Sequence, residues 1–316
     1  MRVLITGSSG QIGTNLGIAL VSSGHDVIGI DVRPNSWTTA FPTVLADLTT
    51  DAQPGDGVIG GAKVGTVDAI VHLAAHAKVH ALVERPRGAF ENHAMVTNAL
   101  EFARVNSVPI ILASSREVYG NLGRRENPVS EAEADFRSSP SPYAAMKLAG
   151  EALASSYFRC YGLPYSIIRF SNVYGRYDDD LSRLERAIWV FNDMIKSGRP
   201  VTVFGAEKTL DFTYIDDAVD GLVRCLTRLV DGDPEVRAST FNLAHGTGHS
   251  LIGVVNLIAL TRNLQPDIRV ESSRPGEVTW YVADITRARD ALGYLPQTPV
   301  TTGIPRAITE AMSRGS

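Results

Sequence analysis

Residues 3–31 read VLITGSSGQIGTNLGIALVSSGHDVIGID. The stretch opens with an apolar run, residues 3–6, closed by glycine, as a buried parallel strand requires. Residues 12–22 then show helical spacing: Ile12, Leu16, Ala19 and Leu20 share one face, and Gly24 ends the helix. A second apolar run, residues 27–30, finishes at Asp31. Strand, helix and strand make one crossover unit. Between the first strand and the helix lie Gly7, Gly10 and Gly13, spaced GxxGxxG, with Gln11 and Ile12 opening the helix. Gly7 allows the sharp turn, Gly10 lets backbone approach a pyrophosphate, and Gly13 lets helix pack on strand. The helix N-terminus adds unpaired N–H groups and a positive dipole. Asp31 can accept hydrogen bonds from the adenosine ribose, and its charge repels a 2′-phosphate. These features point to a dinucleotide site that takes NAD; Arg33, two residues on, is the one feature leaning toward NADP. A purely structural glycine turn accounts for a lone motif but not for strand, helix and Asp31 together. The GxSxG nucleophile elbow fails on spacing and on its position at the first strand.

The alternation continues outward. Residues 69–73, 110–113 and 166–170 read as strands, and residues 94–105 as a helix. Residues 143–161 read as a long helix introduced by Ser141-Pro142. The implied fold is α/β: a Rossmann-type doubly wound parallel sheet with helices on both faces and a smaller C-terminal substrate-binding lobe. After about Tyr174 the regularity weakens. Residues 201–204 and 240–243 read as short strands and 252–261 as a helix, between polar or turn-rich stretches. Residues 1–172 are expected to be mainly the dinucleotide-binding domain, and 173–316 mainly the substrate lobe, interleaved with returning elements of the first.

Composition bounds the partners. A chain of 316 residues suits one large α/β domain with an appended lobe. A net charge of -4 gives no electrostatic reason to expect nucleic acid. No apolar run approaches a membrane span, and the N-terminus lacks a signal-peptide pattern. Cys160 and Cys225 stand outside any CxxC pair and read as small buried apolar residues of a reducing compartment. The expectation is a cytoplasmic protein. No metal is expected. His72, His76 and His80 are spaced by four, but His72 ends a strand, so the three cannot share a helical face. Asp178-Asp179-Asp180 lacks the alternating ligands of a calcium loop and reads as a solvated loop.

Tyr143 and Lys147 stand four residues apart at the start of the long helix, on one face. A neighbouring cation lowers a phenol's pKa and makes it a usable base; the lysine can also bind a nicotinamide ribose. Upstream, the strand at 110–113 runs into Ser114-Ser115-Arg116-Glu117-Val118-Tyr119-Gly120. Ligands of open α/β sheets bind at carboxyl ends of strands, so Ser115 can orient a substrate hydroxyl toward Tyr143. Each feature alone is common; the three together are specific.

With these residues in place, the chain resembles the extended short-chain dehydrogenases/reductases, specifically the NAD-dependent nucleotide-sugar epimerase/dehydratase family. The likeness covers nearly the whole length, through TGSSGQIG, Asp31, Ala46-Asp47-Leu48, His72-Leu73-Ala74-Ala75, ASSREVYG, SPYAAMK, RFSNVYG (169–175), DFTYIDD (211–217) and Arg274-Pro275-Gly276-Glu277. The resemblance implies that Asp47 and Leu48 flank the adenine, and that Leu73, Ala74 and Ala75 line the pyrophosphate and ribose. Val32, Asn92 and Phe170 complete the implied cofactor set with the glycine loop, Tyr143 and Lys147. It makes Ser115, Tyr143 and Lys147 the catalytic triad, Tyr143 the base, with Glu117 as a further catalytic candidate. Ser115, Arg116, Asn172 and Arg274 would bind the nucleotide-sugar, Arg274 at its pyrophosphate, where a guanidinium suits the geometry.

The implied activity is an NAD-dependent 4-epimerase of a UDP-hexose or UDP-uronate, through transient oxidation at C4. Alternatives are a dehydratase or a UDP-uronate decarboxylase starting from the same oxidation, or a non-catalytic NAD-binding regulator. Intact Ser115, Tyr143 and Lys147 argue against the regulator. A homodimer through a four-helix bundle that includes the helix of Tyr143 is also implied. Two departures stand out. Leu210 occupies a position where relatives often carry a phosphate-binding arginine, and Lys208 is the candidate substitute. Arg116 stands where dehydratases of the family keep an aspartic acid. An arginine donates no proton at neutral pH, which disfavours water elimination. Arg116 either pairs with a substrate carboxylate, pointing to a uronate, or faces solvent, or braces Glu117.

Overall fold

The computed structural model describes residues 1–50, 54–182 and 186–314. β1 (Arg2–Thr6) is buried from Val3 onward, as a strand covered on both faces must be. The chain turns through residues 7–10 into α1 (Gln11–Ser22) and returns as β2 (Asp26–Asp31), parallel to β1. β3 (Thr43–Leu45) extends the same edge. After a small hairpin, β4 (Val58–Ile59) and β5 (Ala62–Lys63), the chain lays β6 (Ala69–His72) on the other side of β1. From there α2 (Val79–Glu84), α3 (Arg87–Val105), β7 (Ile110–Ser115), α4 (Pro142–Tyr161) and β8 (Tyr165–Phe170) continue outward. An excursion through β9 (Asn172–Tyr174), α5 (Ala187–Lys196), β10 (Val201–Phe204), β11 (Thr209–Tyr214) and α6 (Ile215–Val230) ends when β12 (Ser239–Leu243) pairs with β8.

Among the described residues seven strands thus form one sheet, ordered β12-β8-β7-β6-β1-β2-β3, every pairing parallel. The chain leaves β1 in one direction and resumes on its other side. The crevice between the carboxyl ends of β1 and β6 is therefore the topological switch point, where such sheets bind ligands. The two-residue period of a strand divides the core. Val3, Ile5, Val71, Ile111 and Ile168 face the layer of α1 and α6, while Leu4, Ile28, Ile70, Ile110 and Ile167 face α3 and α4.

The rest is a smaller lobe. β11 pairs with β9, with β13 (Gly248–Ser250) and with β15 (Trp280–Tyr281), and β10 with β14 (Ile268–Glu271). α7 (Leu251–Arg262) and α9 (Val300–Arg314) pack against them, while α8 (Thr286–Leu292) returns to the first domain and packs on α6 and β12. The helix expected over 94–105 begins earlier, at Arg87, because its first turns bury small and polar residues, Ala89 and Asn92, that carry little apolar signal.

Candidate active site

The glycine loop and the loop after β6 meet at the switch point. A side chain on Gly7, which has φ +71°, would place its Cβ 2.7 Å from the backbone nitrogen of Ala74. One on Gly13 would lie 2.4 Å from the carbonyl oxygen of Gly7. Gly10 caps α1 without any side-chain partner, which leaves helix-terminal N–H groups facing the crevice. The Gln11 side chain is buried there, with neither amide atom bonded among the described residues. At the end of β2, Asp31 accepts from the backbone N–H of Ser9 and of Arg33, each at 3.0 Å, so its carboxylate is held beside the loop. Val32 beyond it is largely exposed.

Farther along the crevice, Asp47 accepts from the Thr49 N–H and hydroxyl, which hold its carboxyl below the usual range, and Leu48 is buried. Asn92 of α3 pins the 73–78 loop with both halves of its amide: Oδ1 accepts from the His76 N–H at 2.6 Å and Nδ2 donates to the His76 carbonyl at 3.0 Å. Thr6 Oγ1 accepts from the Ala74 N–H and lies 2.8 Å from His72 Nδ1. His76 and His80 pair with Glu91 and Glu84. Phe170 is buried at the end of β8. This cradle of close-approach glycines, open N–H groups and an orphaned amide fits a dinucleotide.

The catalytic candidates converge where β7 ends. Ser141 Oγ accepts from the Ala144 N–H and Pro142 starts the first turn, so α4 begins at the site. Tyr143 and Lys147 fall on one face, the ammonium 5.7 Å from the centre of the phenol ring. Lys147 Nζ donates to the Ala113 carbonyl of β7 at 2.8 Å. Ser115 hydrogen-bonds the Tyr143 phenol, and its hydroxyl accepts from the Glu117 N–H.

The expected lowering of the Tyr143 pKa does not hold in the chain by itself. Burial, and next the Glu117 charge, push the phenol up to about 12 against Ser115, Arg186 and Arg116. Burial also brings Lys147 down to about 8, opposed by Glu151. Desolvation outweighs the i,i+4 cation because both groups are enclosed.

Arg116 lies 3.0 Å from Glu117 Oε1, both side chains nearly buried. Its charge also acts on Asp211, which burial pushes up to about 7 against N–H donors from Ala283, His245 and Gly246. Of the roles expected for Arg116, the structure shows the brace on Glu117.

The lobe side of the site is built by β9 and β11. Asn172 Nδ2 donates to the Asp211 carbonyl at 2.8 Å. Leu210 is buried. Lys208, the candidate substitute, is buried with its Nζ 2.5 Å from Glu277 Oε2, which also accepts the Arg274 N–H at 3.1 Å. The Arg274 guanidinium lies over the Phe204 ring at 3.8 Å. Lys208 and Arg274 thus sit together, but the lysine's charge is already answered by Glu277.

The acidic run at 178–180 corrects an expectation. Asp178 is not solvated: its side chain is 4% exposed and pairs with Arg186 at 3.1 Å. Burial pushes it up to about 7. Arg186, whose charge reaches Tyr143, carried no sequence signal, lying as it does in an irregular stretch.

The model of the NAD dependent epimerase/dehydratase family matches residues 3–244. The chain belongs to the NAD-dependent epimerase/dehydratase family. Its cofactor is NAD. This epimerase/dehydratase chain is 30% identical to UDP-glucuronate 4-epimerase 1 of Arabidopsis thaliana, over 98% of its own length and 76% of the relative's. It is 30% identical to UDP-glucose 4-epimerase of Mycolicibacterium smegmatis, over 98% and 97%. The solved structure of MoeE5 in complex with UDP-glucuronic acid and NAD superposes with a TM-score of 0.85, 26% identity and full coverage of both chains.

Proposed function

We propose that this chain is an NAD-dependent 4-epimerase of nucleotide-linked sugars. The observation that carries the reading is Ser115, Tyr143 and Lys147 assembled at the end of β7, beside the glycine cradle. NAD, when bound, supplies a reversible hydride acceptor. Ser115 orients the sugar's C4 hydroxyl, and Tyr143 Oη takes its proton as hydride leaves C4. Lys147 holds positive charge near the phenol. The 4-keto sugar turns, and Tyr143 returns the proton when hydride comes back on the opposite face. Arg274 binds the diphosphate, with Lys208 beside it, and Asn172 fixes the wall between β9 and β11. Asp31, with Asp47, Leu48, Leu73, Ala75, Val32 and Phe170, completes the cofactor side. Two relatives matched over nearly the whole chain, a UDP-glucuronate and a UDP-glucose 4-epimerase, support this reading.

Arg116 favours a neutral hexose over a uronate. Its guanidinium already has Glu117 at 3.0 Å and stands in the field of Asp211. A substrate carboxylate would have to displace or crowd these charges. The same pairing speaks against dehydration, since Arg116 donates no proton.

We place the protein in the cytoplasm as a homodimer. Cys225 is buried as expected, whereas Cys160, near the end of α4, is exposed; both are free thiols, as a reducing compartment maintains them. No described helix is long and apolar enough to cross a membrane. The packed pair α3 and α4 exposes Phe90 and Tyr161, which supports a helix-pair interface. The test of the catalytic reading is Tyr143→Phe, which keeps the ring and removes the proton carrier. Turnover falls about 10²–10⁴-fold while NAD stays bound; near-wild-type turnover contradicts the assignment.

A further inference from the structure

A buried polar chain runs behind the site, and the catalytic reading above does not use it. Glu151 lies one helical turn after Lys147 on α4, a spacing that puts carboxylate and ammonium on one face. Its oxygens are fixed from two strands. From β8, Arg169 donates through Nε to Oε1 at 3.0 Å and through Nη2 to Oε2 at 2.6 Å, a two-point grip. From β7, the Ser114 hydroxyl donates to Oε1 at 2.5 Å. Arg169 is itself held: Nη1 donates to the Glu131 carbonyl at 2.7 Å and to the Tyr119 hydroxyl at 3.1 Å, and that hydroxyl donates to Asn242 Oδ1. Side-chain exposure is 7% for Arg169 and 11% for Glu151, so the pair is shielded from screening by salt.

We propose that Glu151, clamped by Arg169 and Ser114, is a positioning residue that keeps Lys147 protonated in the active site. The inference rests on the reading of Tyr143 and Lys147 as catalytic.

Among the described residues, Glu151 is the carboxylate whose charge acts on Lys147, at longer range than an ion pair and shared with Arg169. On α4 its other neighbour is the Tyr143 phenol. From β6 it faces His72, which burial, then the Lys147 charge, hold near 3, so the imidazole is neutral. From β7 it meets the Ala113 carbonyl. The turn at 116–119 offers Arg116 and Glu117, paired with each other. On α3, Glu101 and Arg104 pair with each other beside Tyr157; on α2, His80 pairs with Glu84. Enclosure pulls the ammonium toward neutrality, and among the described residues the charge opposing this is Glu151. Ser114 adds a second consequence. It ties Glu151 to the strand end that carries Ser115, so the serine and the Tyr143–Lys147 helix are held as one unit.

The experiment compares wild type with Glu151→Gln and Glu151→Asp, each as full-length protein loaded with NAD. Two readouts are taken against pH: kcat, and competitive acetylation of Lys147 scored peptide by peptide by mass spectrometry. In E151Q the carboxylate's attraction is lost and Arg169 is left uncompensated, and both changes disfavour the ammonium. The Lys147 midpoint and the alkaline limb of kcat fall together by about one pH unit, so kcat at about pH 8 drops about fivefold. E151D restores more than half of the shift but leaves its midpoint a few tenths of a unit below wild type. A merely structural role would lower kcat equally at every pH and leave the acetylation midpoint where it is; that result overturns the proposal. Should E151Q fail to fold, E151D decides alone. Its shorter side chain draws the charge back and lowers the midpoint by a few tenths of a unit, and an unchanged midpoint overturns the claim. Y143F separates this proposal from the catalytic reading: an active Y143F sinks that reading whatever Glu151 does.

Discussion

Replacing His72 by glutamine tests how the sheet holds the cofactor loop. His72 is fully enclosed at the end of β6, with Nδ1 2.8 Å from Thr6 Oγ1, the same oxygen that accepts the Ala74 N–H. Burial, and next the Lys147 charge, bring its imidazole from 6.5 to about 3. The folded state therefore refuses a proton that the unfolded chain accepts. The resulting stability is complete above about pH 6.5 and is lost as pH falls toward 3. At pH 5 the loss is about 0.59 × ln(1 + 10^1.5), or about 2 kcal/mol. That figure hardly depends on the folded value, which lies well below pH 5. Asp178 and Asp211, both pushed up to about 7 by burial, act in the opposite sense, so the wild-type curve alone mixes signs. The difference between wild type and H72Q isolates the histidine, because glutamine keeps an acceptor for Thr6 and does not titrate. Urea unfolding at pH 7.5 and at pH 5 measures it. The stability gap between the two proteins narrows by about 2 kcal/mol on acidification. Parallel curves, with the gap constant to within about half a kcal/mol, refute the reasoning.

Two further substitutions probe the ligand walls. Gly13→Ala places a methyl group 2.4 Å from the Gly7 carbonyl oxygen and 2.8 Å from Ser8 Cα, so the loop must open. Overpacking of this kind costs about 1–3 kcal/mol; NAD affinity by titration falls more than about tenfold with the far-ultraviolet spectrum retained, and wild-type affinity would contradict the cradle. Arg274→Ala removes the guanidinium stacked on Phe204. Its target does not change during reaction, so KM rises while kcat stays within about threefold. A large fall in kcat at constant KM would mean that Arg274 acts elsewhere.

The dinucleotide half was legible because its constraints are local. Gly7, Gly13 and Asp31 declare a turn, a close approach and a strand end within one crossover unit, and the structure brings all three to the switch point. Tyr143 and Lys147 were legible for the same reason, being one helical turn apart. Their proton affinities were not, since spacing says nothing of enclosure and enclosure dominates both groups. Arg116 shows the same limit: residue type left three roles open, and only the fold places Glu117 and Asp211 around it. Asp178 was misread because a run of aspartates looks solvated until Arg186 is brought over it. Some signal went unused. Ile215, Ala218, Val219, Leu222, Cys225, Leu226 and Leu229 mark the buried face of α6 at helical spacing. Glu151, four residues after Lys147, was equally visible, but its grip by Arg169 and Ser114 joins three separate elements.

The most direct test of the central claim is product analysis of the purified protein with UDP-glucose and, separately, UDP-glucuronate, by proton NMR of the sugar ring with mass spectrometry of the same samples. The account predicts conversion to the 4-epimer at unchanged mass, without net consumption of NAD, faster for UDP-glucose than for UDP-glucuronate, and absent in Y143F. A product lighter by water or carbon dioxide, or stoichiometric accumulation of NADH, would contradict it.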